Sequence, residues 1–145
     1  MPTPSLVASA SAASIGRADV LVLDSGGLSK LSSRTKASLA LLTALRASGV
    51  WPAVVPTMVL VESLRGDAGR DANANRFLNT CIVEAEVSSA IARRAAELRR
   101  KARTGSAVDA LVVAIAEPGG TVLTGDRADL EALAAHANDV TIEVI

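Results

Sequence analysis

The sequence predicts an α/β fold with a mainly parallel central sheet flanked by helices. Short apolar runs without polar alternation, such as residues 20–23, are typical of strands buried on both faces of a sheet. Helix-length segments with apolar residues on one face separate these runs. Strands that alternate with helices in this way usually form parallel sheets with right-handed crossovers.

The first half of the chain contains two strands and two helices. Residues 20–23 form a β-branched strand that runs into a loop at residues 24–27. A leucine stripe followed by a glycine predicts a helix over residues 33–48. Residues 53–55 precede a proline and form the second strand. The helix over residues 57–64 follows, and its first residue, a threonine, is the predicted N-cap.

The second half continues the alternation, with serine caps and glycine or proline breaks at the element ends. In chain order we predict a helix over 71–79, a strand over 81–83, a helix from Ser88 or Ser89 to 103, a helix over 107–116, a strand over 121–124, a helix over 127–136 and a strand over 140–145. The helix over 107–116 is almost wholly apolar, so we expect it inside the protein.

One domain is expected, because the 145-residue chain is half apolar and can bury a core without disulfides or a structural metal. We predict that residues 1–18, rich in Ala and Ser, form a flexible tail or an over-long start, and that residues 19–145 form the domain. Residues 1–15 lack the features of a signal peptide, and no apolar run approaches the ~20 residues of a membrane span. A cytoplasmic protein with no membrane partner is therefore expected.

The balance of charge restricts the kind of nucleic-acid surface that the chain can have. Fifteen basic and fifteen acidic residues cancel, so any basic surface must be local. Six cations are concentrated on one predicted helix and its end. They are Arg93, Arg94, Arg99, Arg100, Lys101 and Arg103. They form either a solvated helix face or a patch that contacts RNA phosphates or a protein partner.

Two aspartates follow strands whose carboxyl ends we expect at the same edge of the sheet. Asp24 comes directly after the first strand, and Asp126 follows the fourth strand by two residues. Because the carboxyl ends of parallel strands share one edge of the sheet, both carboxylates are expected there. A single aspartate at a strand end is more often a helix cap or a turn residue than a catalyst.

Two further acids lie in apolar surroundings. Glu62 is placed among Val and Leu residues on a short helix, and Asp109 begins the apolar helix over 107–116. The alternatives are an exposed stripe for Glu62 and a favourable interaction with the helix dipole for Asp109. A shared divalent cation explains all four acids at once, and carboxylate oxygens favour Mg²⁺ or Mn²⁺ over zinc or copper.

Four segments resemble the PIN domain of VapC-type toxins. They are Val-Leu-Val-Leu-Asp-Ser at 20–25, Val-Leu-Val-Glu-Ser at 59–63, Ala-Val-Asp-Ala-Leu-Val-Val-Ala at 107–114 and Leu-Thr-Gly-Asp-Arg-Ala-Asp-Leu at 123–130. The resemblance covers about residues 19–145 and depends on the order of the acids. Ser25 matches a small polar residue of the family, which binds phosphate or water or caps the next turn. Gly26 and Gly27 depart from the family pattern and are expected to loosen the loop beside Asp24.

The resemblance implies a PIN-like three-layer sandwich and a Mg²⁺- or Mn²⁺-dependent endoribonuclease, the toxin of a type II toxin–antitoxin pair. It further implies an RNA substrate, a cognate antitoxin that covers the acidic cleft, and a homodimer. Carried over by position, Asp24 and Asp109 are the firmest metal ligands, Glu62 and Asp126 complete the set, and Asp129 is a fifth candidate. We rank Asp126 above Asp129 because it is closer to the strand end.

Three other functions compete with this interpretation. A phosphoaspartyl receiver or phosphatase would also have an aspartate after a central strand, but the chain lacks an Asp-x-Asp pair at Asp24 and a lysine just after the fourth strand. A non-catalytic PIN-like module that binds RNA or protein would be expected to lack one or more of the acids. An RNA-processing PIN nuclease without an antitoxin would keep them all.

Overall fold

The computed structural model describes residues 20–145, and the predicted tail at residues 1–18 lies outside them. In this part of the chain, five strands form one sheet in the order β3-β2-β1-β4-β5, and every neighbouring pair is parallel. The strands are β1 (Leu21–Leu23), β2 (Val54–Pro56), β3 (Ile82–Glu84), β4 (Thr121–Thr124) and β5 (Thr141–Val144). The predicted α/β class with a mainly parallel sheet is therefore confirmed.

Helices connect and flank the strands. Along the described chain they are α1 (Ser25–Leu31), α2 (Lys36–Ala47), α3 (Thr57–Ser63), α4 (Ala72–Leu78), α5 (Ser89–Ala102), α6 (Ala107–Ala116) and α7 (Ala128–Ala134). The apolar α6 packs against β1 and β4, and most of its residues are buried as expected. None of the helices within residues 20–145 has the length and apolarity needed to cross a bilayer.

The position of β1 determines where a ligand site can form. Strand β1 is completely buried at the centre of the sheet, with β2 on one side and β4 on the other. After β1, the chain adds β2 and then β3 on one side of it. The chain then adds β4 on the other side of β1, followed by β5. The strand order therefore reverses between β1 and β4, and parallel α/β sheets bind ligands beyond the carboxyl ends of strands at such a point.

Helix α1 replaces the loop that the sequence predicts after β1. Gly26 and Gly27 lie inside this helix, and a Cβ on Gly27 would be 2.3 Å from the carbonyl oxygen of Leu123 in β4. The two glycines therefore let α1 pack directly on β4, and the expectation that they loosen a loop is wrong. Leu28 and Leu31 complete the contact of α1 with the core.

One predicted helix cap is also wrong. The N-cap of α3 is Pro56, without a side-chain hydrogen bond, and Thr57 is the first residue inside the helix. For α5 the predicted serine cap is confirmed, since Ser88 is the N-cap and its hydroxyl accepts a hydrogen bond from the N–H of Ile91. The bounds of α6 and β4 are as predicted, and the other elements differ from the predicted bounds by a few residues at their ends, where helices fray.

Candidate active site

A cavity of about 370 Å³ opens at the reversal point between β1 and β4. It is lined by Asp24, Ser25, Gly26, Asp109, Thr124, Gly125, Asp126, Asp129 and Leu130, which together we call the acidic cavity. Four of these nine residues are aspartates, and none is a lysine or an arginine. The structure thus brings together Asp24, Asp109, Asp126 and Asp129, although 105 positions separate the first from the last in sequence.

Asp24 is the most buried acid of the cavity, with 8% of its surface exposed. It is the N-cap of α1, and its Oδ1 accepts a hydrogen bond of 2.7 Å from the N–H of Gly27. Burial raises the pKa of Asp24 above its ordinary value, hydrogen bonds from Thr124 and Gly27 oppose this rise, and the nearby charge of Asp109 adds to it. Folding therefore makes the negative charge of Asp24 costly unless a cation is close.

Thr124 connects two of the aspartates and was not assigned a role from the sequence. Its buried hydroxyl donates to Oδ2 of Asp24 at 2.5 Å and accepts a hydrogen bond of 3.0 Å from the N–H of Asp126. One side chain at the end of β4 therefore orients both Asp24 and the turn that carries Asp126. A hydroxyl residue closing an apolar strand, two positions before a candidate acid, is the signal that could have identified it.

Asp109 is half-buried in the first turn of α6, where it forms a capping box with Ser106. The Ser106 hydroxyl accepts a hydrogen bond of 3.0 Å from the N–H of Asp109, and Oδ2 of Asp109 accepts a long one of 3.4 Å from the N–H of Ser106. The stabilising role at the helix N-terminus is thus observed. The same carboxylate lines the acidic cavity, so the two roles are compatible.

Asp126 and Asp129 both line the cavity but differ in their contacts. The exposed Asp126 accepts a hydrogen bond of 3.2 Å at Oδ1 from the N–H of Ala128, which leaves most of its capacity as an acceptor free. Oδ1 of Asp129 accepts a shorter one of 2.7 Å from the hydroxyl of Thr104. Asp129 is therefore tied to the loop after α5, and the ranking of Asp126 above it as the fourth acid stays a prediction.

Glu62 is not among the residues that line the acidic cavity. It lies on α3, its side chain is exposed, and its neighbour Val61 is 82% exposed. Helix α3 packs against α1, which contributes Ser25 and Gly26 to the cavity wall. Ser25 faces the cavity, and the cap of α1 is made by Asp24 instead. A role for Glu62 in metal binding stays a prediction.

The oxygen donors of the acidic cavity suit a hard divalent cation, because carboxylates without nitrogen or sulfur ligands are typical of Mg²⁺ and Mn²⁺ sites. Within residues 20–145, however, no three acidic, histidine or cysteine side chains are arranged so that they could hold an ion together. Mg²⁺ usually keeps several waters and binds through one or two carboxylates. The cavity therefore fits a hydrated cation better than one enclosed by four carboxylates.

Much of the predicted basic patch on α5 is engaged within the protein. The guanidinium of Arg94 makes a bidentate pair with Glu117 at 2.8 and 2.7 Å and also contacts Glu97 at 2.7 Å. Lys101 pairs with Glu97 at 3.3 Å, and Arg99 donates to the carbonyl oxygen of Gly105. These contacts favour the structural role for half of the six cations.

No protein-family model matches the chain, and no curated protein matches its sequence. Among solved structures, the chain is similar to a chain in the crystal structure of VapBC2 from Rickettsia felis bound to a DNA fragment from their promoter. The TM-score is 0.66, the similarity covers 87% of this chain and 98% of that chain, and the sequence identity is 15%. The similarity is one of fold and agrees with the predicted PIN-like α/β architecture.

Proposed function

We propose that the chain is the toxin of a type II toxin–antitoxin pair and acts as a Mg²⁺- or Mn²⁺-dependent endoribonuclease. The observation that carries the proposal is the acidic cavity, where four aspartates meet at the reversal point of a parallel sheet with no basic side chain in the lining. The similarity in fold to a chain of the VapBC2 complex supports the proposal, since VapC-type toxins are the family that the sequence resembles.

In the proposed enzyme, Asp24 and Asp109 hold the cation, and Asp126 and Glu62 act through its water ligands. A bound cation supplies two kinds of chemistry to phosphodiester hydrolysis, activation of a water molecule at neutral pH and neutralisation of charge on the scissile phosphate. The donors already present fit this task, because the carboxylate of Asp24 is held in place from both sides by Gly27 and Thr124.

The chain's own groups would orient the substrate around this centre. The hydroxyl of Ser25 lies in the cavity wall, where it can donate to a phosphate oxygen. The N-terminus of α6 also points its partial positive charge toward the side of the cavity that carries Asp109. Both features favour a phosphodiester next to the aspartates once the repulsion among the carboxylates has been neutralised.

The proposal includes the partners that the family resemblance implies. They are an RNA substrate, a cognate antitoxin that covers the acidic cavity, and a second copy of the chain in a homodimer, all in the cytoplasm. Inhibition of RNA cleavage by an antitoxin encoded next to this gene would distinguish a toxin from an RNA-processing nuclease that shares the same acids.

The decisive experiment measures RNA cleavage by the purified chain with Mg²⁺ or Mn²⁺ present. We expect Asp24→Asn and Asp109→Asn to reduce cleavage to the level of the wild-type chain in EDTA. Asp139→Asn is the matched control, because Asp139 is exposed, lies outside the acidic cavity and has a φ of 58°, a conformation that asparagine tolerates. Full cleavage by both cavity variants would refute the proposed function.

A further inference from the structure

We infer that a second cavity, lined by Arg34, Arg46 and Arg76, binds a backbone phosphate of single-stranded RNA. This arginine pocket has a volume of about 230 Å³ and lies between α2, α4 and the turn after α1. The inference rests on the proposed function, since it assigns a binding role toward the same RNA. It concerns residues that lie outside the acidic cavity and outside the basic patch on α5.

The three guanidinium groups have no acidic partner within residues 20–145. Arg46 lies over the ring of Trp51, with its Cζ atom 5.6 Å from the ring centroid. Arg76 makes one long hydrogen bond of 3.4 Å to the side chain of Asn73. The ion pairs of the described chain involve other residues, and the lining contains no aspartate or glutamate. The positive charges around this pocket are therefore not compensated by the protein.

The position of Arg34 favours a role beyond stability. It lies in the turn between α1 and α2 with a φ of 63°, in the left-handed region where residues with a Cβ are strained. In the described chain its guanidinium makes neither an ion pair nor a hydrogen bond that would offset this strain. A ligand anion would give that side chain a partner.

The size and chemistry of the pocket indicate a phosphate group. Sites for whole small molecules usually occupy about 300–1,000 Å³, so a smaller cavity suits a single charged group of a larger ligand. Guanidinium groups bind phosphate oxygens through paired hydrogen bonds, and several arginines around one pocket match the charge of a phosphodiester and its neighbours. Arg34 and Arg76 remain exposed, so a bound strand can continue past the pocket.

Helix α1 relates the arginine pocket to the acidic cavity. Ser25 and Gly26 at the start of α1 line the acidic cavity, whereas Leu31 at its end lines the arginine pocket. A seven-residue helix is about 10 Å long, because each residue adds 1.5 Å. The two sites therefore lie at opposite ends of α1, and a strand that contacts both must span at least the length of this helix.

The aspartates of the acidic cavity favour RNA over an acidic protein segment as the ligand, because only an RNA substrate needs to be held beside them. The chain has no net charge, and four clustered aspartates repel a polyanion that approaches them. A strand anchored at the arginine pocket would be kept beside the acidic cavity despite that repulsion. An acidic protein partner would gain nothing from the proximity of the aspartates.

The test measures the affinity of the full chain for a fluorescent single-stranded RNA oligonucleotide in EDTA over a range of salt concentrations. We compare Arg76→Gln and Arg34→Asn with the wild type, because asparagine tolerates the backbone conformation at position 34. Arg70→Gln is the matched control, since Arg70 is exposed, lies outside both cavities and makes its hydrogen bond to Asp67 through its backbone N–H. Thermal unfolding verifies that every variant is folded.

We expect both pocket variants to bind RNA more weakly and to lose about 0.7 from the slope of log affinity against log salt, the value for one phosphate contact of a single strand. The ratio of wild-type affinity to variant affinity then falls about 2.6-fold between 50 and 200 mM salt, whereas Arg70→Gln keeps the wild-type slope. Arg76→Lys should keep the wild-type slope as well, because it retains the charge.

Two results would overturn the inference. One is the absence of any loss in affinity or slope in Arg34→Asn and Arg76→Gln relative to the wild type, which includes the case in which the wild type binds no RNA. The other is tighter binding of a polyglutamate peptide than of RNA, lost in the same variants, which would assign the pocket to an acidic protein. RNA binding that depends on the pocket, without cleavage when Mg²⁺ is added, would refute the proposed nuclease and leave the pocket standing.

Discussion

The carboxylate of Asp24 caps helix α1 and lines the acidic cavity at the same time. Its Oδ1 accepts the N–H of Gly27, and its Oδ2 accepts the hydroxyl of Thr124. Asparagine is also a good N-cap, so Asp24→Asn keeps the hydrogen bond that begins α1 while it removes the negative charge. This substitution therefore separates the structural role of Asp24 from its proposed role in metal binding.

Thr124→Val should reduce RNA cleavage and the apparent Mg²⁺ affinity by about 10- to 100-fold, the usual effect of removing a group that orients a metal ligand. The valine has nearly the same shape but cannot donate to Asp24 or accept from the N–H of Asp126. Titration of cleavage rates with Mg²⁺ gives both quantities.

Thr124→Ser is the conservative control for Thr124→Val, because serine retains the hydroxyl. We expect it to restore most of the Mg²⁺ affinity. Equal losses in the serine and valine variants would mean that the methyl group and its packing matter, and that the hydrogen bond to Asp24 does not.

Helix α1 shows why local sequence patterns fail at some functional sites. Two glycines within seven residues argue against a helix, so the segment after β1 is predicted as a loop. The glycines are favourable only because the backbone of β4 lies against them, a contact between residues about 100 positions apart. By contrast, the bounds of α6 and β4 are predicted correctly, since capping and apolar runs determine them locally.

Gly27→Ala should lower the free energy of unfolding by about 1–3 kcal/mol, as overpacking usually does. The new Cβ would lie 2.3 Å from the carbonyl oxygen of Leu123 and would force α1 away from β4. Urea denaturation measures the change. Gly69→Ala is the control, because its Cβ would have no contact closer than 3.4 Å, and similar losses in both variants would contradict this account of α1.

The loop between α3 and α4 is held by the buried carboxylate of Asp71. It accepts backbone hydrogen bonds of 2.9–3.2 Å from Arg65, Gly66 and Asp67, which follow the helix that carries Glu62. The hydrogen bond from the backbone N–H of Arg65 contributes most to lowering the pKa of Asp71. Because the folded pKa is lowered, the stabilisation is complete above the ordinary pKa near 3.9 and is lost as the pH falls through the folded value.

Asp71→Asn should therefore have a lower Tm than the wild type at pH 7, because an amide nitrogen cannot accept these hydrogen bonds. The difference in Tm should be constant above the ordinary Asp pKa of about 3.9 and should shrink as the pH falls below it toward the lowered pKa of the folded state, where the wild-type carboxylate becomes protonated. Thermal unfolding across this range tests the prediction. A difference that stays constant with pH would show that the charge of Asp71 is unimportant.

At the scale of the molecule, the sequence predicts which elements exist and that the acids after β1 and β4 share one edge of the sheet. It does not predict which acids face one cavity. Asp129 lines the cavity and Glu62 is not among the lining residues, because their positions depend on how α7 and α3 pack against other elements. The pairing of Arg94 with Glu117 across 23 residues is likewise determined by the packing of α5 on α6.

The buried charge of Asp24 in the acidic cavity also affects the stability of the whole domain. Burial raises the pKa of Asp24, so its ionised form opposes folding at neutral pH when no cation is present. In EDTA at pH 7, Asp24→Asn should consequently unfold at the same Tm as the wild type or higher. A cation that binds only the folded state adds about 2.7 kcal/mol at one hundred times its Kd, which raises the Tm by several degrees.

We therefore expect Mg²⁺ to raise the Tm of the wild type and of Asp139→Asn, and to raise that of Asp24→Asn and Asp109→Asn much less. The order of stability of Asp24→Asn and the wild type should then reverse between EDTA and Mg²⁺. Glu62→Gln would show a reduced shift only if Glu62 helps to hold the cation, so the same measurement tests its predicted role. An equal Mg²⁺ shift in all variants would place the cation elsewhere, because binding at the acidic cavity requires these carboxylates.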